Sequence, residues 1–132
     1  MTTIIDQIKE DEGFRGDPYR DSLDIPTIGY GTKLPLTEAE AELIAQFRLN
    51  QKISGIIEKK PFIFRLPLER QEVIFNMTYQ MGVGGVLKFK KMWFALERFD
   101  YEEAALQMLD SKWAKQTPNR AEKLARIMGG LS

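Results

Sequence analysis

The chain has 132 residues, enough for one domain with a buried core and one catalytic unit, with no room for an appended binding module. It contains no cysteine, which rules out disulfides and suits synthesis in a reducing compartment; it also contains no histidine, so acid-base chemistry falls to carboxylates. Nineteen basic and nineteen acidic residues cancel to a formal charge of zero, which argues against strong sequence-independent attraction to nucleic acid or to an anionic membrane.

No apolar run is long enough to span a bilayer, and the opening residues Met1 to Asp6 lack the charged start and apolar core of a signal peptide. Export by the chain's own signal is therefore not expected. Ile4, Ile5 and Ile8 mark one arc of a helix at about 100° per residue, and Glu12 falls near the centre of that arc. Asp11 lies at its margin and Glu10 on the far side. Gly13 suits a left-handed C-cap, so the pattern predicts a helix that carries the Glu12 carboxyl toward the interior. Desolvation there favours the neutral form that a general acid needs. The simpler alternative is that Asp11 and Glu12 solvate a helix end.

Gly16-Asp17-Pro18 and Asp21-Ser22-Leu23-Asp24 are turn-forming clusters, so Tyr19-Arg20 and Pro26 to Tyr30 read as the short strands of a hairpin. Alternation puts Thr27, Gly29 and Gly31 on one face and Ile28 and Tyr30 on the other. A glycine-lined face admits close approach and makes a floor for a flat polar substrate such as a glycan. Asp21, in the polar turn, is expected to stay ionised, so the environments of Glu12 and Asp21 would drive their pKa values apart. The Thr27 hydroxyl could donate to Asp21 and accept from a water, although threonine is also simply a good strand former.

Thr37 and Glu40 form a capping box that opens a helix running to about Lys59, with Leu43, Ile44, Phe47, Ile53, Ile56 and Ile57 as its apolar positions. Pro61 and Pro67 mark a break. Pro67 suits the first turn of a helix reaching Met81, with Val73, Ile74, Met77 and Met81 on its apolar face, and Gly82-Val83-Gly84-Gly85 ends it. Further helices are predicted over 86–98, with Leu87, Trp93, Phe94 and Leu96 as core, and over 101–113, with Ala104, Ala105, Met108 and Leu109. Thr117-Pro118 starts the last helix, and Arg120 projects one turn into it. Taken alone, Gln80 and Arg120 read as solvated side chains.

Asp11-Glu12-Gly13, Tyr19-Arg20-Asp21 and Thr27-Ile28-Gly29-Tyr30-Gly31 together resemble the catalytic signature of the phage-type lysozymes of the T4 lysozyme family (glycoside hydrolase family 24). Asn76-Met77-Thr78-Tyr79-Gln80-Met81-Gly82 is similar to that family's central helix. Trp113 to Ala121 is similar to its C-terminal motif, and Thr37 to Glu42 to the start of its inter-lobe helix. The resemblance implies an α+β, mainly α, two-lobed fold in one domain over 1–132. A small β-hairpin lobe would span about 13–36 and an inter-lobe helix about 37–59; a helical lobe would take about 60–132 together with the N-terminal helix.

It further implies a muramidase that hydrolyses the β-1,4 bond between N-acetylmuramic acid and N-acetylglucosamine of bacterial peptidoglycan, held in a cleft between the lobes. Glu12 would be the acid, and Asp21 and Thr27 would hold and polarise the attacking water, giving inversion. Gly29, Tyr30, Gln80, Gln116 and Asn119 would contact substrate, and Arg120 would orient Glu12 through a bidentate contact. No metal or organic cofactor is implied, and the enzyme would act as a monomer without nucleic acid or stable membrane association. As an endolysin it would accumulate in the host cytoplasm and reach the wall through a membrane pore. Two departures stand out: only Lys33 to Leu36 separate Thr32 from Thr37, where longer family members carry a sizeable segment, and Thr32 occupies the position of a frequent histidine. The alternatives are a non-catalytic wall-binding or phage structural module and a chitin-type glycosidase.

Overall fold

The computed structural model describes residues Thr2 to Gly130. It is 69% helical with one three-stranded antiparallel sheet among the described residues, which is the α+β, mainly α class that the sequence predicts. The chain divides into two compact units, Met1–Ile44 and Ala45–Ser132, and the division falls inside the long second helix.

In the first unit, α1 (Ile4–Glu12) opens on a capping box in which the Thr3 hydroxyl accepts from the Asp6 N–H and Asp6 reaches back to the Thr3 N–H. It closes at Gly13, whose φ of 71° and ψ of 155° lie in a region that essentially only glycine occupies. The expected glycine stop is present, but with extended ψ instead of a left-handed cap. The sheet has the order β1-β2-β3, with β1 at Arg15–Arg20, β2 at Pro26–Gly29 and β3 at Thr32–Lys33. Gly16-Asp17-Pro18, expected as a turn, lies within β1. The register slips there, so that Arg15 faces Gly29 while Tyr19 faces Thr27. Proline and glycine have been absorbed as a strand irregularity. The second hairpin turns at Tyr30-Gly31, and the predicted strand therefore ends at Gly29. Both Gly29 and Gly31 adopt φ of 72°.

Helix α2 (Glu38–Lys59) begins as expected: the Thr37 hydroxyl accepts from the Glu40 N–H at 3.2 Å and Glu40 Oε1 accepts from the Thr37 N–H at 2.8 Å. Its apolar positions split along its length. Leu43, Ile44 and Phe47 are exposed, and Ile56 is fully buried.

In the second unit a 3-10 turn (Pro61–Arg65) leads to α3 (Leu68–Leu87), in which Gly82 (φ 81°, ψ 165°) interrupts the helical backbone as the sequence predicts. The chain regains helix for one turn before α4 (Lys90–Glu97), so the predicted 86–98 helix starts four residues late. The predicted 101–113 helix is two, α5 (Tyr101–Leu109) and α6 (Lys112–Gln116). Ser111 separates them, because its hydroxyl accepts from the Ala114 N–H and donates to the Met108 carbonyl, which makes a new N-cap. Helix α7 (Pro118–Met128) follows with Pro118 in its first turn. The core joins Ile56, Ile63, Val73, Ile74, Met77, Met92, Trp93, Leu96, Met108, Leu124 and Met128. Phe94, expected inside, is 62% exposed and lies beneath the Arg98 guanidinium, 4.3 Å from the ring centre. Leu109 is also exposed.

Candidate active site

Glu12 is the last residue of α1 and does not enter a core. The isoleucines that define its arc are themselves exposed, so a position at the centre of that arc leads to the surface. What places the carboxyl is Gly31. A Cβ built there would stand 2.6 Å from both Cδ and Oε2 of Glu12, so the Glu12 side chain occupies the space that any other residue at 31 would fill. Positive φ at Gly31 makes the same demand from the backbone side. The close approach expected at a strand glycine is present, and the approaching group is the candidate acid itself.

Asp21 sits in the β1–β2 turn, its side chain 14% exposed. Oδ1 accepts the N–H groups of Leu23 and Ile25, both at 2.9 Å, while Oδ2 accepts from Lys33 Nζ in a salt bridge. The Lys33 ammonium, followed by the Ile25 and Leu23 N–H groups, holds the Asp21 carboxyl below its ordinary range against an opposing desolvation. This is the ionised carboxylate that the sequence predicts. Lys33 is held above its ordinary value, first by Asp21 against an opposing desolvation and then, more weakly, by Glu12 and Tyr19 nearby. Sequence reasoning missed Lys33 and placed it in a connector, since a two-residue strand carries no readable alternation. Only the β2–β3 register, which pairs Thr27 with Lys33, reveals its place.

Thr27 is completely buried, and its hydroxyl donates to the Ile25 carbonyl at 2.8 Å. The expected donation to Asp21 is replaced by this contact two residues back, which the close turn makes shorter to reach. Thr27 is still joined to Asp21 through one residue, because Ile25 also donates its N–H to Oδ1 and accepts the Asp21 N–H at 3.0 Å. Tyr30 packs on Phe14 at 5.6 Å between ring centres, with Lys9 Nζ 5.6 Å from its own, and Gly29 lies at the tip of the hairpin.

The remaining predicted residues belong to the second unit. Gln80, exposed near the end of the first stretch of α3, accepts from Trp113 Nε1 at 2.8 Å, which leaves its NH₂ for other partners. Gln80, Trp113 and Gln116 line one groove of about 710 Å³ together with Phe89. Asn119 is exposed on α7 and outside that lining. Arg120 directs its fork at Asn76: Nε and Nη2 donate to Oδ1 at 3.0 and 2.6 Å, and Nη2 also reaches the Asn76 carbonyl at 3.4 Å. Asn76 is thus a partner that the sequence reading did not assign. Among the described residues no three His, Cys, Asp or Glu side chains cluster as a metal site requires, and no helix is long and apolar enough to cross a membrane.

Glu12 set over the Gly31 turn and the ionised Asp21 of the same unit are carboxylates of the kind that a glycosidase uses. The model of the phage lysozyme family matches residues 9–128, and the chain belongs to that family. It is similar to Probable T4-type lysozyme 1 of Dictyostelium discoideum, 26% identical over 97% of this chain and 94% of the relative. Probable T4-type lysozyme 2 of the same organism is 25% identical over 96% of this chain and 94% of its own. A shorter similarity, 44% identity over 45% of this chain and 10% of the relative, links it to the pre-baseplate central spike protein Gp5 of Enterobacteria phage T4.

Proposed function

We propose that this lysozyme-family chain is an inverting muramidase that cleaves the β-1,4 bond between N-acetylmuramic acid and N-acetylglucosamine in bacterial peptidoglycan. The observation that carries the reading is the pairing of Glu12, held over Gly31, with an Asp21 whose two oxygens are differently committed. Glu12 gives its proton to the leaving oxygen as the C1–O bond breaks; Asp21 takes a proton from the water whose oxygen bonds to C1. Oδ1 of Asp21 already accepts two N–H groups and Oδ2 one ammonium, so a single acceptor position remains. That suits a base holding a water better than a nucleophile that must approach carbon. The Thr27 hydroxyl donates its hydrogen bond to the Ile25 carbonyl, and its oxygen keeps an acceptor position that would serve the same water. Gly29, Tyr30, Gln80, Gln116 and Asn119 are the proposed substrate contacts.

As an endolysin the protein would act as a monomer, accumulate in the bacterial cytoplasm and reach the wall through a membrane pore. Digestion of purified peptidoglycan with mass analysis should release fragments with N-acetylmuramic acid at the reducing end, and NMR of fresh products should show the α-anomer first. Early β-anomer would point to a covalent intermediate on Asp21. The similarity to a phage spike protein favours a second reading, a module of a phage structural protein. Intact, bound peptidoglycan after incubation would select a non-catalytic form of it.

A further inference from the structure

We propose that Lys33 is a positioning residue for this reaction: it clamps Oδ2 of Asp21 while the turn holds Oδ1, and so fixes both the plane and the ionisation of the base. The inference rests on the reading of Asp21 as base given above.

The geometry singles out this lysine among the charges around Asp21. From β1, the Arg20 guanidinium turns to Asp24, donating to its carbonyl at 3.0 Å and standing 3.8 Å from its Oδ1. Glu12, at the end of α1, and Tyr19, also on β1, favour the Lys33 ammonium, and neither offers Asp21 a cation. Asp24 in the turn is an acid already facing Arg20. Lys33, on β3, is therefore the cation joined to Asp21, and its place opposite Thr27 in the register fixes where its stem begins. The N–H groups of Leu23 and Ile25 converge on one oxygen and leave the carboxylate able to pivot about it. The ammonium at the other oxygen removes that pivot through a charge-assisted contact. Lys33 itself is half exposed, so it also remains within reach of solvent.

The sign of the effect on catalysis follows. A base held below its ordinary pKa stays competent further into acid, and the ammonium is the largest cause of that depression. Lys33→Met should move the acid limb of the kcat profile to higher pH, with a several-fold loss of kcat on the acid side and a small one near neutrality; Lys33→Arg should restore the limb. In the uncomplexed protein the carbon-13 shift of the Asp21 carboxyl should titrate at higher pH in Lys33→Met than in wild type. A Lys33→Met variant with an unmoved Asp21 titration, or one that raises KM at every pH with the limb in place, would overturn the proposal and leave Lys33 as a surface cation that attracts substrate. Asp21→Asn tests the other half: wild-type turnover in that variant would remove the base reading and with it any catalytic meaning of Lys33, while an unmoved carboxyl titration removes the lysine alone.

Discussion

Residues 2–44 and 45–130 are held together by different physics. Every buried apolar side chain among the described residues belongs to the second stretch, while in the first the only buried side chain is that of Thr27, a polar residue. The first unit takes its shape from a capping box at each helix start, three glycines at positive φ and the hydrogen bonds that gather around Asp21. A chain of that size without disulfides has little apolar burial to draw on. Both candidate carboxylates stand in this weakly packed part, where their surroundings are polar enough to hold charge. Chemistry on a hydrogen-bonded frame can be broken without unfolding, and packing can be broken without touching chemistry.

The largest effect expected from that separation is on turnover. Glu12→Gln removes the acidic proton and nearly keeps the shape, so wall lysis should fall by about 10²-fold or more. Because Glu12 is exposed, the melting temperature should stay close to wild type. Clearing of wall suspensions at the wild-type rate by a folded Gln variant would end the assignment of Glu12.

Packing gives the next effect. Met77 is fully buried at the centre of α3, and Met77→Ala should cost about 2–5 kcal/mol in denaturant melts. Ile8→Ala, on the exposed arc of α1, should stay within about 0.5 kcal/mol. A comparable cost for both would mean that the first unit contains packing its exposure does not reveal.

The glycines of the second hairpin separate placement from backbone strain. Gly31→Ala and Gly29→Ala both force a side chain into φ of 72°, at about 1–2 kcal/mol each. Only at Gly31 does the new Cβ meet the Glu12 carboxyl, at 2.6 Å; at Gly29 the nearest atom is Thr32 Oγ1 at 3.9 Å. The stability losses should therefore be similar, and the loss of turnover much greater for Gly31→Ala. Equal losses of turnover would mean that Gly31 acts through the backbone alone.

Much of this was legible in sequence because the signals were local. The Thr37–Glu40 box, the break at Gly82 and the start at Pro118 each depend on residues within a few positions, and each is in the structure. What was not legible depends on pairing across distance. Lys33 meets Asp21 only because β3 folds back on β2, and Arg120 meets Asn76 across 44 positions of chain. The inward turn predicted for Glu12 failed for a related reason: an amphipathic period says which residues share a face and not what covers that face. Ser111 broke the predicted 101–113 helix because a hydroxyl that caps the next turn outweighs a continuing apolar period.

The smallest effect concerns acid, and it should distinguish the two units in a single experiment. Asp6, Asp21 and Glu40 all lie in the first unit, and each carboxyl is held below its ordinary value: Asp6 by the Thr3 N–H and hydroxyl, Asp21 by Lys33 and two N–H groups, Glu40 by the Thr37 N–H and hydroxyl. A carboxyl depressed in the native state adds stability that is complete above its unfolded pKa and is lost as pH falls through the native one. Lys33 has the opposite sign, its contribution being lost only as pH rises through a raised ammonium pKa, so the Asp21 pair persists across neutrality. Acid below about pH 4 should thus loosen the first unit while the apolar core of the second, whose burial does not titrate, still holds. Hydrogen exchange read by segment at stepwise lower pH, corrected for intrinsic rates, should show protection falling in 4–40 before 68–128. The Thr37→Val variant, which removes one of the two hydrogen bonds that depress Glu40, should narrow the gap at the start of α2 alone. Simultaneous loss in both segments would show that the acid response belongs to the whole fold and not to the polar frame that holds the carboxylates.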